Sequence, residues 1–345
     1  MFENLKNKQF KIVEKFKWLG LISLVVILAG AIAIIAGNFN LGIDFTGGAK
    51  VEVELQGEVD EFKADFEKVF KEKIESQKFS VNGAMLESEH DSGTTYEFRL
   101  DFELDGKKVS NDKEEDAFRF ALNGDDADAS VNGLRGYMED EVKAYFEAKG
   151  FADAYTDNCI RVYEVGASAS ESLIRSAVWA IIVAIIVVLI YIIVRFALSS
   201  GLAAVIALAH DTLIVVALTA VFGIAVNSTF IAAIITTIGY SINATIVIFD
   251  KVRECQKSTA FVGKSDTEIA NYAIKHSMVK ILLSTITTLI MVVALVIVKV
   301  SAIQEFILPI IFGLIGGTFS SLCLSPSIWV ILRKAGAKIN KRKKA

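Results

Sequence analysis

Only two prolines occur among the 345 residues, Pro309 and Pro326, and both fall in the last apolar run. No other apolar run therefore carries a proline break. Cysteine is nearly as scarce. Cys159, Cys255 and Cys323 lie far apart, without metal-site spacing, which argues against a disulfide scaffold and leaves three unpaired thiols. The three histidines, His90, His210 and His276, form no metalloprotease pair, and no nucleophile elbow is present. Gly263-Lys264-Ser265 looks like the end of a phosphate loop, but Ser258 stands where that loop requires glycine. ATP hydrolysis is unsupported, and neither catalysis, a metal nor a cofactor is expected.

What the chain has in abundance is apolar sequence. Hydrophobic residues make up 53% and mean hydropathy is +0.48. They gather in six runs, at about 18–37, 173–195, 200–224, 228–249, 278–300 and 304–332. Each is long enough to cross roughly 30 Å of hydrocarbon as a helix rising about 1.5 Å per residue. The last has room for a bend at Pro309 or a tilted end. The first is too long for a signal-peptide core and is taken as a retained helix, with a signal anchor as the alternative.

Basic residues set the orientation. The arm 1–17 carries Lys6, Lys8, Lys11, Lys15 and Lys17, and the tail 333–345 carries seven lysines and arginines. The loop 250–277 after the fourth span adds Lys251, Arg253, Lys257, Lys264 and Lys275, and Arg195 ends the second span. The positive-inside rule puts all of these, and both termini, in the cytoplasm. Such clusters suit anionic membrane lipids rather than nucleic acid.

Residues 38–172 are then extracytoplasmic and hold 32 of the 40 acidic residues. Val51 to Leu55 alternates as a strand, and Val59 to Ser76 has helical apolar spacing. Phe79 to Glu87 and Thr94 to Phe102 read as strands around the turn His90-Asp91-Ser92-Gly93. Leu134 to Ala148 is a second amphipathic helix, and Asn158 to Val165 a last strand. The order β-α-β-β-α-β predicts a ferredoxin-like α+β domain inserted after the first membrane helix. An acidic, irregular insertion near 104–130 interrupts it. That stretch lacks EF-hand spacing, so a solvated insertion is expected, with Phe118 and Phe120 hinting at a short helix.

Several motifs stand in a fixed order along the chain. Leu41-Gly42-Ile43-Asp44-Phe45-Thr46-Gly47-Gly48 follows the first span, and Val165-Gly166-Ala167 through Ala177 leads into the second. Ala209-His210-Asp211 lies in the third, Gly239-Tyr240-Ser241-Ile242-Asn243 in the fourth with Phe249 to Glu254 after it, and Glu268-Ile269-Ala270-Asn271 precedes the fifth. This ordered set resembles the SecD/SecF family, and spans nearly the whole chain. The resemblance implies a SecF-like accessory subunit of the bacterial Sec translocase in the inner membrane, working with a SecD-like subunit, the SecYEG channel and YajC on translocating polypeptide. It implies a six-helix bundle like half of an RND transporter, driven by a proton or sodium gradient. A stand-alone RND-type small-molecule transporter half and a non-transporting scaffold are the competing readings. Three positions depart from the family pattern, the first being Ala167, where the family usually has proline after the glycine. Ala244 stands where the family has Asp, and Lys280 where it has Arg. Alanine cannot be protonated, so the usual carboxylate relay cannot run through position 244.

The candidate residues follow from polarity in apolar surroundings. Asp211, beside His210, is the remaining carboxylate well inside a span, and is read either as the coupling site or as a structural hydrogen bond to a neighbouring helix. Asn243 offers sodium or water coordination, or an interhelical hydrogen bond. Gly239, Asn243 and Asp250 share one face of the fourth span, a stripe expected to meet other helices or a wet cavity, with Ser241 nearby. Asp250 also suits pairing at the interface. Lys280 either joins the coupling or snorkels to the cytoplasmic surface. Gly313, Gly317 and Ser321 form a small-residue ridge for close packing, within the chain or against a partner. Asp44, Gly47 and Gly48 suit a structural hinge between span and strand. Ser265 and Glu268 form a capping box opening a cytoplasmic helix.

Overall fold

The computed structural model describes residues 11–56, 63–82, 85–90, 93–109, 112–125, 128–150, 159–297 and 301–344. Lys6, Lys8, Val59, Asp91, Ser92 and Asn158 from the readings above lie outside them. The chain divides into a helical unit and an α+β unit.

The helical unit is built from α1 (Phe16–Ile35), most of α6 (Ala167–Arg195), α7 (Leu198–Val221), α8 (Ser228–Lys257), α9 (Asp266–Ile297), α10 (Ser301–Phe319) and α11 (Ser325–Lys344). A π-helical turn, Ser320–Leu324, joins the last two. Among the described residues six spans are long and apolar enough to cross a membrane, Val13–Ile35, Ala169–Arg195, Leu198–Val221, Ser228–Lys257, Asp266–Ile297 and Phe306–Ala337.

The helices overrun the apolar runs. The stretch 250–277 is mostly helical rather than a loop. α8 continues to Lys257, a 3₁₀ turn covers Thr259–Phe261, and α9 opens at Asp266. The stretch 333–344 of the basic tail is the end of α11. Hydropathy marks where lipid ends, whereas backbone hydrogen bonding continues into water. The capping box is present: Glu268 N donates to Ser265 Oγ at 3.3 Å and Ser265 N to Glu268 Oε2 at 2.8 Å. Helix α10 runs unbroken through Pro309. The irregularity comes instead before Pro326, which has no N–H to donate back to Leu322. The widened turn accommodates that loss, and Ser327 Oγ caps the carbonyl of Cys323 at 2.7 Å.

The α+β unit opens with a one-turn helix α2 (Ile43–Thr46), then β1 (Gly48–Gln56), α3 (Lys63–Ser76), β2 (Phe79–Val81), β3 (Leu86–His90) and β4 (Gly93–Leu104). After these come β5 (Lys107–Lys108), α4 (Asp112–Asn123), β6 (Gly124–Asp125), β7 (Asp128–Asn132), α5 (Leu134–Lys149) and β8 (Ile160–Val165). The main sheet runs β2-β4-β1-β8, with β3 and β5 also on β4, and every pairing is antiparallel. Val51 sits opposite Phe98 on one side and Val162 on the other. Alternation along β1 buries Ala49, Val51, Val53 and Leu55 against Phe66, Phe70 and Ile74 of α3 and Met138, Val142 and Phe146 of α5.

Two details differ from the sequence reading. Phe79 to Glu87 is two strands, β2 and β3, because the register against β4 shifts. The acidic insertion is not irregular throughout. It folds as α4, whose Phe118 and Leu122 are buried while Phe120 is exposed. Phe118 meets Phe79 and Phe102 edge-on, at centroid distances of 5.4 and 5.0 Å. The carboxylates keep α4 soluble on one face while this aromatic anchor holds the other.

Candidate functional site

Small residues bring three helices of the helical unit into close approach. Helix α7 buries Gly201, Ala203, Ala204 and Ala207 before reaching Asp211 near its midpoint. Helix α8 presents Thr237, Ser241 and Thr245, four residues apart and all buried, on one face. Helix α10 faces them with glycines. A Cβ on Gly313 would lie 2.2 Å from Thr237, and one on Gly317 2.9 Å from Ser241. The expected small-residue ridge thus packs within the chain, against α8. Its next member, Ser321, accepts or donates to Thr245 Oγ1 at 2.9 Å and donates to the Ser241 carbonyl at 3.2 Å.

This packing encloses Asp211, which is only 1% exposed. Its Oδ2 accepts from Ser241 Oγ at 2.5 Å and from Ser320 Oγ, in the π-turn, at 2.8 Å. Its Oδ1 lies 3.0 Å from His210 Nδ1. Three polar groups from two neighbouring segments and the adjacent residue therefore converge on one carboxylate. Such a cage holds the carboxylate away from water and satisfies its oxygens by hydrogen bonds. A second hydroxyl pair, Thr285 and Thr318 at 2.8 Å, continues the polar seam to α9.

The other candidates lie elsewhere. Gly239, Asn243 and Asp250 are on the uncovered face of α8, and Gly239 has no neighbour within 4 Å of a Cβ position. Among the described residues the stripe stays uncovered along Gly239 and Asn243 and meets another helix only at its end, through Asp250. The buried face is the opposite one, because residues two apart on a helix point about 200° apart. Asp250 pairs with Arg195 at 3.3 Å. Lys280 is exposed on α9 and does not join the Asp211 cage. Ala244 is buried, at 6% exposure, one turn beyond Ser241. In the α+β unit, Asp44 stands in the first turn of α2, and Gly47 and Gly48 follow it with φ of 71° and 121°. A Cβ on Gly48 would lie 2.3 Å from the Leu100 carbonyl, so glycine is required there.

Sequence reasoning missed Ser320. Its signal was the serine pair Ser320-Ser321 shortly before Pro326, since a proline-linked π-turn places side chains out of ordinary helical register. Asn271 was also read only as part of a motif. Its Oδ1 accepts from Val13 N at 3.2 Å and its Nδ2 donates to Glu14, which ties the start of the chain to α9.

Comparison with known proteins gives this geometry a family. The family of protein export membrane proteins SecD/SecF, C-terminal part, matches residues 147–335, and the SecD/SecF GG motif matches residues 38–59. The chain belongs to the SecD/SecF family. It is 29% identical over 335 residues to the protein translocase subunit SecF of Alicyclobacillus acidocaldarius, covering 96% of this chain and 95% of that one. It is 28% identical over 322 residues to SecF of Rickettsia conorii, covering 93% and 91%. Against the SecDF subunit of Bacillus subtilis it is 30% identical over 94% of this chain but only 38% of the relative, so it spans well under half of that longer protein. The crystal structure of the Thermus SecDF, described there as a translocon-associated membrane protein, superposes with a TM-score of 0.71 at 23% identity, over 95% of this chain and 39% of that one. Within this SecD/SecF fold the Asp211 cage is the buried polar centre of the described helical bundle.

Proposed function

We propose that this protein is a SecF-type accessory subunit of the Sec protein translocase, assisting polypeptide export across the bacterial inner membrane. Near full-length similarity to two SecF subunits carries the reading. A SecD-like partner follows from the SecDF relative, in which a matching segment is joined to a longer chain. It also follows from the uncovered polar stripe. Thr236, Gly239 and Asn243 on α8 and Lys280, Ser284 and Thr287 on α9 are exposed in this chain. Polar side chains at membrane depth favour a protein neighbour over lipid. The SecYEG channel and YajC complete the proposed assembly, with membrane lipids around it and both termini cytoplasmic by the positive-inside rule.

In this reading the bundle acts as one half of an RND-like membrane domain. The extracytoplasmic domain is of the ferredoxin-like class, which the order β2-β4-β1-β8 with α3 and α5 against the sheet supports. It would engage emerging polypeptide, and Asp211 would couple movement to an ion gradient. The role is mechanical rather than enzymatic. Affinity purification of the tagged full chain from native membranes tests the assembly: a SecD-like subunit is expected in the eluate, and a stable homo-oligomer without it would reject the reading. An export assay with an imposed gradient tests coupling: Asp211→Asn is expected to lose gradient dependence, and undiminished export would refute the role of Asp211.

A further inference from the structure

Strand β8 lies at one end of the main sheet, and among the described residues it pairs only with β1. One hydrogen bond tells its two edges apart. Glu54 N donates to the Cys159 carbonyl at 2.8 Å, just before the strand begins. The register continues unbroken from there, with Glu52 opposite Arg161, Lys50 opposite Tyr163 and Gly48 opposite Val165. Antiparallel pairing alternates, so Arg161, Tyr163 and Val165 direct their backbone groups to β1. Ile160, Val162 and Glu164 turn their N–H and C=O the other way, where no backbone partner stands among the described residues.

This outer edge opens on a groove of about 340 Å³, lined by Ile160, Arg161, Val162 and Tyr163 together with Arg135 from the first turn of α5. Alternate side chains of a strand point to opposite faces of its sheet. Four consecutive residues therefore line one groove only where the backbone itself faces it. Both ends are closed. Ile160 is 1% exposed, and beyond Tyr163 the guanidinium of Arg119 on α4 pairs with Glu164 at 2.5 Å. Val162 stands between them as the open pairing position.

We infer that this edge takes a short extended stretch of the translocating polypeptide as an added antiparallel strand, centred opposite Val162. The inference rests on the reading of the α+β unit as the part that engages polypeptide, and names the site within it. What the edge offers is main-chain donors and acceptors, so its complement is another main chain in extended form. A helix satisfies its own amide groups, and lipid presents no row of them. Strand addition reads backbone rather than sequence, as a subunit that handles many polypeptides requires. Side chains add a bias. Arg135 on one side of the edge, and Arg161 on the other, itself paired with Glu54 at 2.7 Å, favour carboxylates over cations. The short open length makes capture weak and quickly reversed, which suits a chain that must move on. A long bare edge would retain its substrate or aggregate.

Val162→Pro removes the outward N–H and spares the ladder to β1, in which the Val162 amide takes no part. Val162→Thr keeps the N–H and is the matched control. The full chain in nanodiscs is titrated with a fluorescent twelve-residue peptide of alternating Thr and Glu, and with the same peptide N-methylated at its six central residues. Binding of the first peptide is expected to weaken about fivefold or more in Val162→Pro and to persist in Val162→Thr. The methylated peptide is expected to bind the unaltered chain about fivefold or more weakly than its parent. Equal affinity for the two peptides, or binding of neither, would overturn the proposal without any variant having to fold. In native membranes a photoreactive residue at position 163 is expected to label a stalled translocating polypeptide, and labelling of a SecD-like subunit in its place would also overturn it. A SecD-like subunit in the affinity eluate with no discrimination between the peptides would reject strand capture and keep the subunit assignment. Discrimination between the peptides with no SecD-like subunit in the eluate would do the reverse.

Discussion

Replacement of Gly313 by alanine tests the close packing that builds the Asp211 cage. The new methyl would stand 2.2 Å from both Thr237 Oγ1 and Cγ2 and 2.7 Å from Thr237 Cβ. No rotamer of Thr237 removes the last contact, so α8 and α10 must separate. Overpacking of this kind costs about 1–3 kcal/mol. Alanine recovers up to about 1 kcal/mol of helix propensity over glycine. Because the Cβ contact cannot be rotated away, the overpacking cost falls in the upper half of its range, about 2–3 kcal/mol, and the expected net loss is about 1–2 kcal/mol. Thr237→Gly removes the opposing Cβ, so the pair Gly313→Ala, Thr237→Gly should be more stable than the sum of its singles by about 1–3 kcal/mol. Unfolding of the purified chain in mild detergent measures all four corners of the cycle. Additive behaviour, or a Gly313→Ala protein as stable as its parent, would refute the packing argument. Separation of the helices also draws Ser241 away from Asp211, so the same variant should weaken the hydroxyl shell.

The α+β unit offers two independent checks. Gly48→Ala combines a left-handed φ of 121° with a Cβ 2.3 Å from the Leu100 carbonyl, and should destabilise that unit by about 1–3 kcal/mol or more; unchanged hydrogen exchange in β1 and β4 would contradict this. Tyr145 donates to Asp65 Oδ2 at 2.9 Å, and burial, with that hydrogen bond added, pushes its phenol up to about 12. The native state then binds the phenolic proton more tightly than the unfolded chain does. The associated stability is present below about pH 10 and is lost as pH rises toward 12; a Tyr145→Phe protein should lack this alkaline loss, and an unchanged profile would refute the assignment.

The sequence made the helices legible but not their facing. Length and hydropathy located all six spans, and period-two alternation located β1 and β4. Helix ends were harder, because α8 and α11 keep their hydrogen bonds past the last apolar residue. Facing failed for a different reason. In a soluble helix the polar side faces water, whereas in α8 both sides carry polar residues on an apolar background. Thr237-Ser241-Thr245 and Gly239-Asn243 have the same four-residue spacing, so periodicity gives them equal standing. Only the glycines of α10, once placed opposite Thr237 and Ser241, decide which side is buried. Asp211 was legible because a carboxylate in an apolar run is conspicuous. Ser320 was not, because the π-turn before Pro326 changes the angle at which it projects.

The location of the carboxylate has a consequence for position 244. Ala244 is buried one turn from Ser241, so an aspartate there enters the same interior. It does not inherit the same cage. Asp211 takes its hydrogen bonds from His210 on its own helix and from Ser320 in the π-turn as well as from Ser241. Lys280, the cation matched to the family's arginine, is exposed on α9. A buried charge without a partner costs several kcal/mol and is avoided by staying protonated. Ala244→Asp alone should therefore lower stability when the isolated chain unfolds in detergent. Combined with Asp211→Asn it should fail to restore gradient-dependent export, since the transferred carboxyl lacks the hydrogen-bonding groups that hold Asp211. Full restoration by the double variant would refute the argument, because it would show that a carboxyl anywhere in this interior suffices and that the His210, Ser241 and Ser320 cage is dispensable.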